Sequence, residues 1–166
     1  MKVLFVCTGN TCRSPMCEGY FRKLCQEAGL KDVEAISAGV FAEPGGKASS
    51  VALSTMKDYG VDLAAHCSRP LDKELLDAAD IVVALSTGHR FQVGRISPKA
   101  LAKTKLLLEF ADKPAMDVAD PFGGSQETYS ACFEEMKPAL HNLLLEIIRG
   151  GAKENKVSGR KSPDRK

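Results

Sequence analysis

Lys2 is followed by an unbroken apolar run, Val3-Leu4-Phe5-Val6, that gives way at Cys7 to the polar and small residues Thr8-Gly9-Asn10-Thr11-Cys12-Arg13-Ser14-Pro15. A run so short and continuous predicts a buried strand rather than an amphipathic helix. Ser14 and Pro15 then start a helix, the hydroxyl as its cap and the proline at the first helical position, where a missing N–H does no harm. Met16, Tyr20, Leu24 and Cys25 recur at helical spacing, and the pattern stops near Gly29.

The remaining pattern predicts a second strand over 33–37, a loop through Glu43-Pro44-Gly45-Gly46, and helices over 49–59 and 72–79. Strands follow over 80–85 and 105–110, then an irregular stretch over 116–124. The last helix, 127–149, sets Tyr129, Phe133, Met136, Leu140, Leu143, Leu144 and Ile147 on one stripe, which reads as core. Pro138 inside it should kink it or split it in two.

Strands alternating with helices on this scale imply an α/β fold, a single doubly wound sheet of four parallel strands with helices on both faces. Ligands of such sheets bind beyond the carboxyl ends of the strands. One domain over 1–149 accounts for the 166 residues, with 150–166 as a tail. That tail carries six Lys or Arg against two acids and no aromatic residue, so it is expected to be disordered and basic. The rest of the chain is then mildly acidic, which argues against a nucleic-acid partner.

No stretch approaches the length of a membrane span, and the first apolar run lacks a signal-peptide cleavage pattern, so the expected location is the cytoplasm. The six cysteines are then expected to be mostly reduced thiols. No Cys-x-x-Cys pair occurs and the three histidines are scattered, so no metal site is expected.

The turn after the first strand carries the chemistry. Between the end of a central strand and the start of a helix, several backbone N–H groups face one small concave space, which favours a tetrahedral anion. Gly9 and Asn10 tolerate the positive φ that curls such a loop inward. The residues of this cradle are Thr8, Gly9, Asn10, Thr11, Cys12, Arg13 and Ser14, with the Cys7 thiol at its first position. Inward amides and the Arg13 guanidinium are expected to lower the Cys7 pKa, giving a thiolate aimed at phosphorus.

Cys7-Thr-Gly-Asn-Thr-Cys-Arg13-Ser14-Pro15, with Ser37-Ala-Gly39, the strand over 79–84 and Asp120-Pro121, resembles the low-molecular-weight protein tyrosine phosphatase family over roughly residues 1–149. The resemblance implies that Cys7 attacks the phosphoryl group and becomes a phosphocysteine, and that Arg13 holds two phosphate oxygens in a fork that lysine could not copy. It implies Asp120 as general acid and base, a hydrogen bond from Ser14 to the Cys7 sulfur, and a supporting network of Asn10, Ser14, Ser37 and His66. Cys12 has two readings, a reversible disulfide partner of Cys7 or a passive loop thiol. No cofactor is implied. The expected partners are phosphorylated protein substrates, with inorganic phosphate as product and the protein acting as a monomer.

Two features depart from the tyrosine-specific pattern. Family members acting on phosphotyrosine usually carry an aliphatic residue at the position of Thr11, and often an aromatic pair where this chain has Phe122-Gly123-Gly124. Thr11, Phe122 and the run over 38–42 look more like the branch with bacterial protein-arginine phosphatases. A guanidinium leaving water needs acceptors for its N–H groups, which the Thr11 hydroxyl and Asp120 supply, whereas a phenyl ring prefers an apolar wall. Phosphoarginine is therefore the expected substrate group and phosphotyrosine the alternative. A thiol-dependent arsenate reductase and a phosphate-binding adaptor are less consistent with the residues. The first needs a further cysteine pair where none lies between Cys67 and Cys132, and the second has no use for both Cys7 and Asp120.

Overall fold

The computed structural model describes residues 1–113 and 116–158, with side chains described to residue 151. Its elements in chain order are β1 (Lys2–Cys7), α1 (Arg13–Glu27), β2 (Glu34–Gly39), α2 (Ser50–Lys57), α3 (Lys73–Ala78), β3 (Ile81–Ala84), α4 (Thr87–Ile96), β4 (Thr104–Leu106) and α5 (Gln126–Ser158). Short 3-10 turns span Pro98–Lys103 and Leu107–Ala111. The four strands form one parallel sheet in the order β2-β1-β3-β4.

Side chains alternate across β1, and this divides the core in two. Val3, Phe5 and Cys7 pack with α1, α2 and α5, whereas Leu4 and Val6 pack with Leu71, Leu76, Val93 and Ala100 beneath α3, α4 and the first 3-10 turn. The chain leaves β1 to one side for β2 and crosses to the other for β3. The carboxyl end of β1 is thus a switch point, where a crevice opens. Ser49, Asp72 and Ser86 accept backbone N–H bonds from Ala52, Leu75 and His89, capping α2, α3 and α4.

The architecture agrees with the expected doubly wound fold, and four local expectations change. The fourth strand ends at Leu106; Leu107, Leu108 and Phe110 belong to a 3-10 turn buried against α5. A short apolar run does not distinguish these two conformations by its pattern. Helix α4 has no counterpart in the sequence reading, because TGHRFQVGRI contains two glycines and buries only His89 and Val93. Ser14 is not the helix cap: Cys12 occupies that position without a side-chain bond to the helix backbone, and Ser14 lies inside the first turn. Helix α5 is one continuous element across Pro138, not split there, and continues beyond Arg149 through Gly150 and Gly151 to Ser158. The expectation of a disordered tail otherwise falls on 159–166, outside the described residues. No described helix is long and apolar enough to cross a membrane.

Candidate active site

Residues Cys7 to Ser14 curl from β1 into α1 around a cavity of about 240 Å³ lined by Cys7, Thr8, Gly9, Asn10, Thr11, Cys12, Arg13, Asp120 and Phe122. Asn10 makes the curl with φ of 56°. It is buried, and its side chain is bonded at both ends. The Arg69 N–H donates to Asn10 Oδ1 (3.0 Å), which orients the amide so that Nδ2 donates to Ser14 Oγ (2.8 Å) and Ser37 Oγ (2.9 Å). The Ser37 hydroxyl donates in turn to the Glu18 carboxylate, which also holds Arg22 at 2.6 Å. His66 Nε2–H donates to the Asn10 carbonyl (2.7 Å). Gly39 allows the close approach of β2: a Cβ there would lie 2.4 Å from the Thr8 carbonyl oxygen.

The Ser14 oxygen, having accepted from Asn10, keeps its own proton for the Cys7 sulfur, 2.8 Å away. The expected fall in the Cys7 pKa is not what the free site shows. Burial pushes the thiol above its ordinary value, against the opposing pull of the Ser14 hydroxyl, the Ser14 and Asn10 amides and the Arg13 guanidinium. Sequence reading counted the stabilising groups and overlooked desolvation at the foot of a closed loop.

Arg13 is nearly buried and is fixed from the loop that precedes α5. Its Nη1 donates to the Val118 carbonyl (2.9 Å), and its Nη2 lies 3.5 Å from Asp120 Oδ2. Asp120 stands half exposed at the mouth, and its other oxygen accepts from the Phe122 N–H (3.1 Å). Gly124 N–H closes the turn on the Pro121 carbonyl, with Gly123 in the left-handed region. Phe122 is 77 % exposed beside the cavity.

The site thus gathers Cys7, Arg13, Asp120, Thr11 and Phe122 around one space, with Asn10, Ser14, Ser37 and His66 behind it. Several neighbours escaped sequence reading. Glu18 sits one helical turn after Ser14, a spacing that could have signalled it. Arg69 reaches Asn10 from a loop, with no local signal. Tyr129, read as core, points its hydroxyl at Cys12 Sγ (3.0 Å) and at Ser49 Oγ (3.3 Å). His89 Nε2 lies 2.8 Å from Thr8 Oγ1.

The other thiols differ from Cys7 in their surroundings. Burial raises Cys17 well above its ordinary pKa and Cys132 up to about 12, and neither has the Ser14 hydroxyl and loop amides that oppose burial at Cys7. A larger cavity, about 820 Å³, opens at the opposite end of the sheet near Asp32, Asp80 and Lys105, but no thiol or imidazole lines it.

A cradle of this kind between a central parallel strand and a helix, with a cysteine at its base and an arginine at its close, has the form of the anion site of the cysteine phosphatases. The chain belongs to the low molecular weight phosphotyrosine protein phosphatase family, which it matches over residues 2–154. Among its relatives, the protein-arginine-phosphatase of Geobacillus stearothermophilus is 42 % identical over 88 % of this chain and 95 % of its own length. The protein-arginine-phosphatase of Bacillus subtilis (strain 168) is 38 % identical over 89 % and 97 %. The fold is also that of a YwlE arginine phosphatase solved as a cysteine-to-serine mutant with its active-site serine phosphorylated. That structure has a TM-score of 0.84 and 37 % identity, covering 89 % of this chain and 95 % of that one.

Proposed function

We propose that this protein is a cysteine-dependent protein-arginine phosphatase that works through a phosphocysteine at Cys7. The observation that carries the reading is that Cys7, Arg13, Thr11 and Asp120 share a single cavity at the end of β1. The protein-arginine phosphatase activity for which the two relatives are named and the phosphorylated serine of the solved mutant support it.

The dianionic phosphoryl group enters the cradle, where the backbone N–H groups and the Arg13 guanidinium receive its oxygens. The Cys7 thiolate attacks phosphorus, so an S–P bond forms as the P–N bond to the guanidine breaks. The departing nitrogen takes a proton from the Asp120 carboxyl group. Water then attacks phosphorus and gives its proton to Asp120, the S–P bond breaks, and Cys7 leaves as a thiolate while inorganic phosphate is released. Ser14 donates to the sulfur in this second step and makes it a better leaving group. Ser14, the loop amides and Arg13 favour the thiolate that attacks and leaves, against the burial that disfavours it.

Thr11 supplies an acceptor at the rim for the guanidinium, and Phe122 offers a face on which it can stack. The reading includes a monomer acting in the cytoplasm on phosphorylated proteins. The test is kcat/KM for a phosphoarginine peptide and a matched phosphotyrosine peptide, on the wild type and on Thr11→Ile. The expected result is a wild-type preference for phosphoarginine that collapses or reverses in the variant. A wild-type preference for phosphotyrosine unmoved by the substitution would replace this reading with a tyrosine phosphatase using the same mechanism.

A further inference from the structure

The cradle is not uniform from foot to rim. Asn10, Cys12, Arg13 and Ser14 are buried, whereas Thr8 is exposed and Thr11 is half-buried, both lining the cavity. The two threonine hydroxyls therefore belong to the more open part of the cavity lining.

Thr11 Oγ1 meets only the adjacent Cys12 sulfur, at 3.7 Å, among the described residues, whereas Thr8 has a close partner from another element. His89, in the first turn of α4, is 5 % exposed and puts Nε2 at 2.8 Å from Thr8 Oγ1. Its backbone N–H is taken by the Ser86 hydroxyl, which locks that turn. The other ring nitrogen, Nδ1, is buried without a hydrogen-bond partner among the described residues. Burial and the nearby Arg13 charge lower the His89 pKa to about 4, so the ring is neutral at physiological pH. A buried imidazole that leaves one nitrogen unpaired costs stability, and among the described residues the ring's one side-chain hydrogen bond is to the rim hydroxyl. Donating or accepting at Nε2, the ring leaves the Thr8 oxygen at least one lone pair.

We propose that Thr8, fixed in place by His89, is a second rim acceptor for the guanidinium N–H groups of phosphoarginine, and that His89 is a positioning residue for substrate choice acting through it. The inference rests on the phosphoarginine reading above. A phenyl leaving group has no N–H for this oxygen, so the pair contributes to one substrate and not the other.

The experiment measures kcat/KM with a phosphoarginine peptide and a matched phosphotyrosine peptide for the wild type, Thr8→Val, Thr8→Ser, His89→Phe, His89→Gln and the double variant Thr8→Val/His89→Phe. The expected result is a fall of about tenfold or more in the phosphoarginine-to-phosphotyrosine ratio for Thr8→Val and a smaller fall for His89→Phe. The double variant falls no further than Thr8→Val, while Thr8→Ser and His89→Gln retain most of the wild-type ratio. A purely structural role lowers both rates together and leaves the ratio unmoved, which would overturn the inference. If His89→Phe fails to fold, Thr8→Val at the exposed rim decides alone. A phosphoarginine-preferring wild type whose ratio survives Thr8→Val overturns this inference only, whereas a wild type that prefers phosphotyrosine overturns the underlying reading and this one with it.

Discussion

The Ser14 hydroxyl lies 2.8 Å from the Cys7 sulfur while accepting, also at 2.8 Å, the amide of Asn10. The proton on Ser14 is thereby directed at the sulfur, and the Cys7 thiolate gains its nearest neutral donor. Ser14→Ala removes the largest of the influences that oppose burial at Cys7. The thiol pKa, already raised, moves higher still. The pH dependence of Cys7 alkylation by iodoacetamide should shift upward in the variant, and kcat should fall because the sulfur becomes a poorer leaving group. An unshifted alkylation profile would remove Ser14 from the account.

Asn10 combines a positive φ with a fully bonded, buried side chain. Asn10→Ala meets the left-handed penalty of about 1–2 kcal/mol and leaves the Arg69 amide and two serine oxygens short of a partner, for a further loss of about 1–3 kcal/mol. Chemical denaturation should show a loss of stability on that scale. Asn10→Gly relieves the backbone strain alone, so it should recover part of the stability and little of the activity.

Gly39 lies against the loop from the β2 side. A methyl group there would meet the Thr8 carbonyl oxygen at 2.4 Å and the Asn10 nitrogen at 2.9 Å, both backbone atoms of the cradle. Gly39→Ala should therefore distort the anion site and weaken competitive inhibition by inorganic phosphate, read as a raised inhibition constant. An unchanged constant would show that the strand can yield without moving the loop.

The low pKa of His89 has a signature in stability. The folded protein holds this ring neutral down to about pH 4, while the unfolded chain takes up the proton near its ordinary value of 6.5. The unfolded state thus binds more protons across that window, and stability falls as the pH is lowered from 6.5 towards 4. His89→Gln should flatten this part of the curve of Tm against pH. An equal slope in both proteins would assign the acid sensitivity to other groups.

How much of this was legible in the sequence depends on how local each cause is. The strand at 2–7, the cradle and Asp120-Pro121 are contiguous signals, read from a switch in pattern and from the residue types that a phosphate site needs. Helix α4 was not legible, because its two glycines and weak apolar stripe give no periodicity, and it is held by the Ser86 cap and by packing on the first 3-10 turn, β4 and β3. The same blindness hid His89 and its contact with Thr8, 81 positions away. Arg69 and Tyr129 likewise reach the loop through the fold. The Cys7 pKa was misjudged for a related reason: the lowering groups stand in the motif itself, but the burial that outweighs them comes from the whole domain closing around it.

The measurement that bears most directly on the account is a rapid quench of the enzyme with a phosphoarginine protein, followed by mass-spectrometric mapping of the phosphorylated residue. The mechanism predicts a phosphoryl group on Cys7 that forms and decays within a turnover, and a Cys7→Ser protein that binds the substrate but no longer turns it over. Phosphate release without a Cys7 adduct, or turnover that survives in Cys7→Ser, would contradict it.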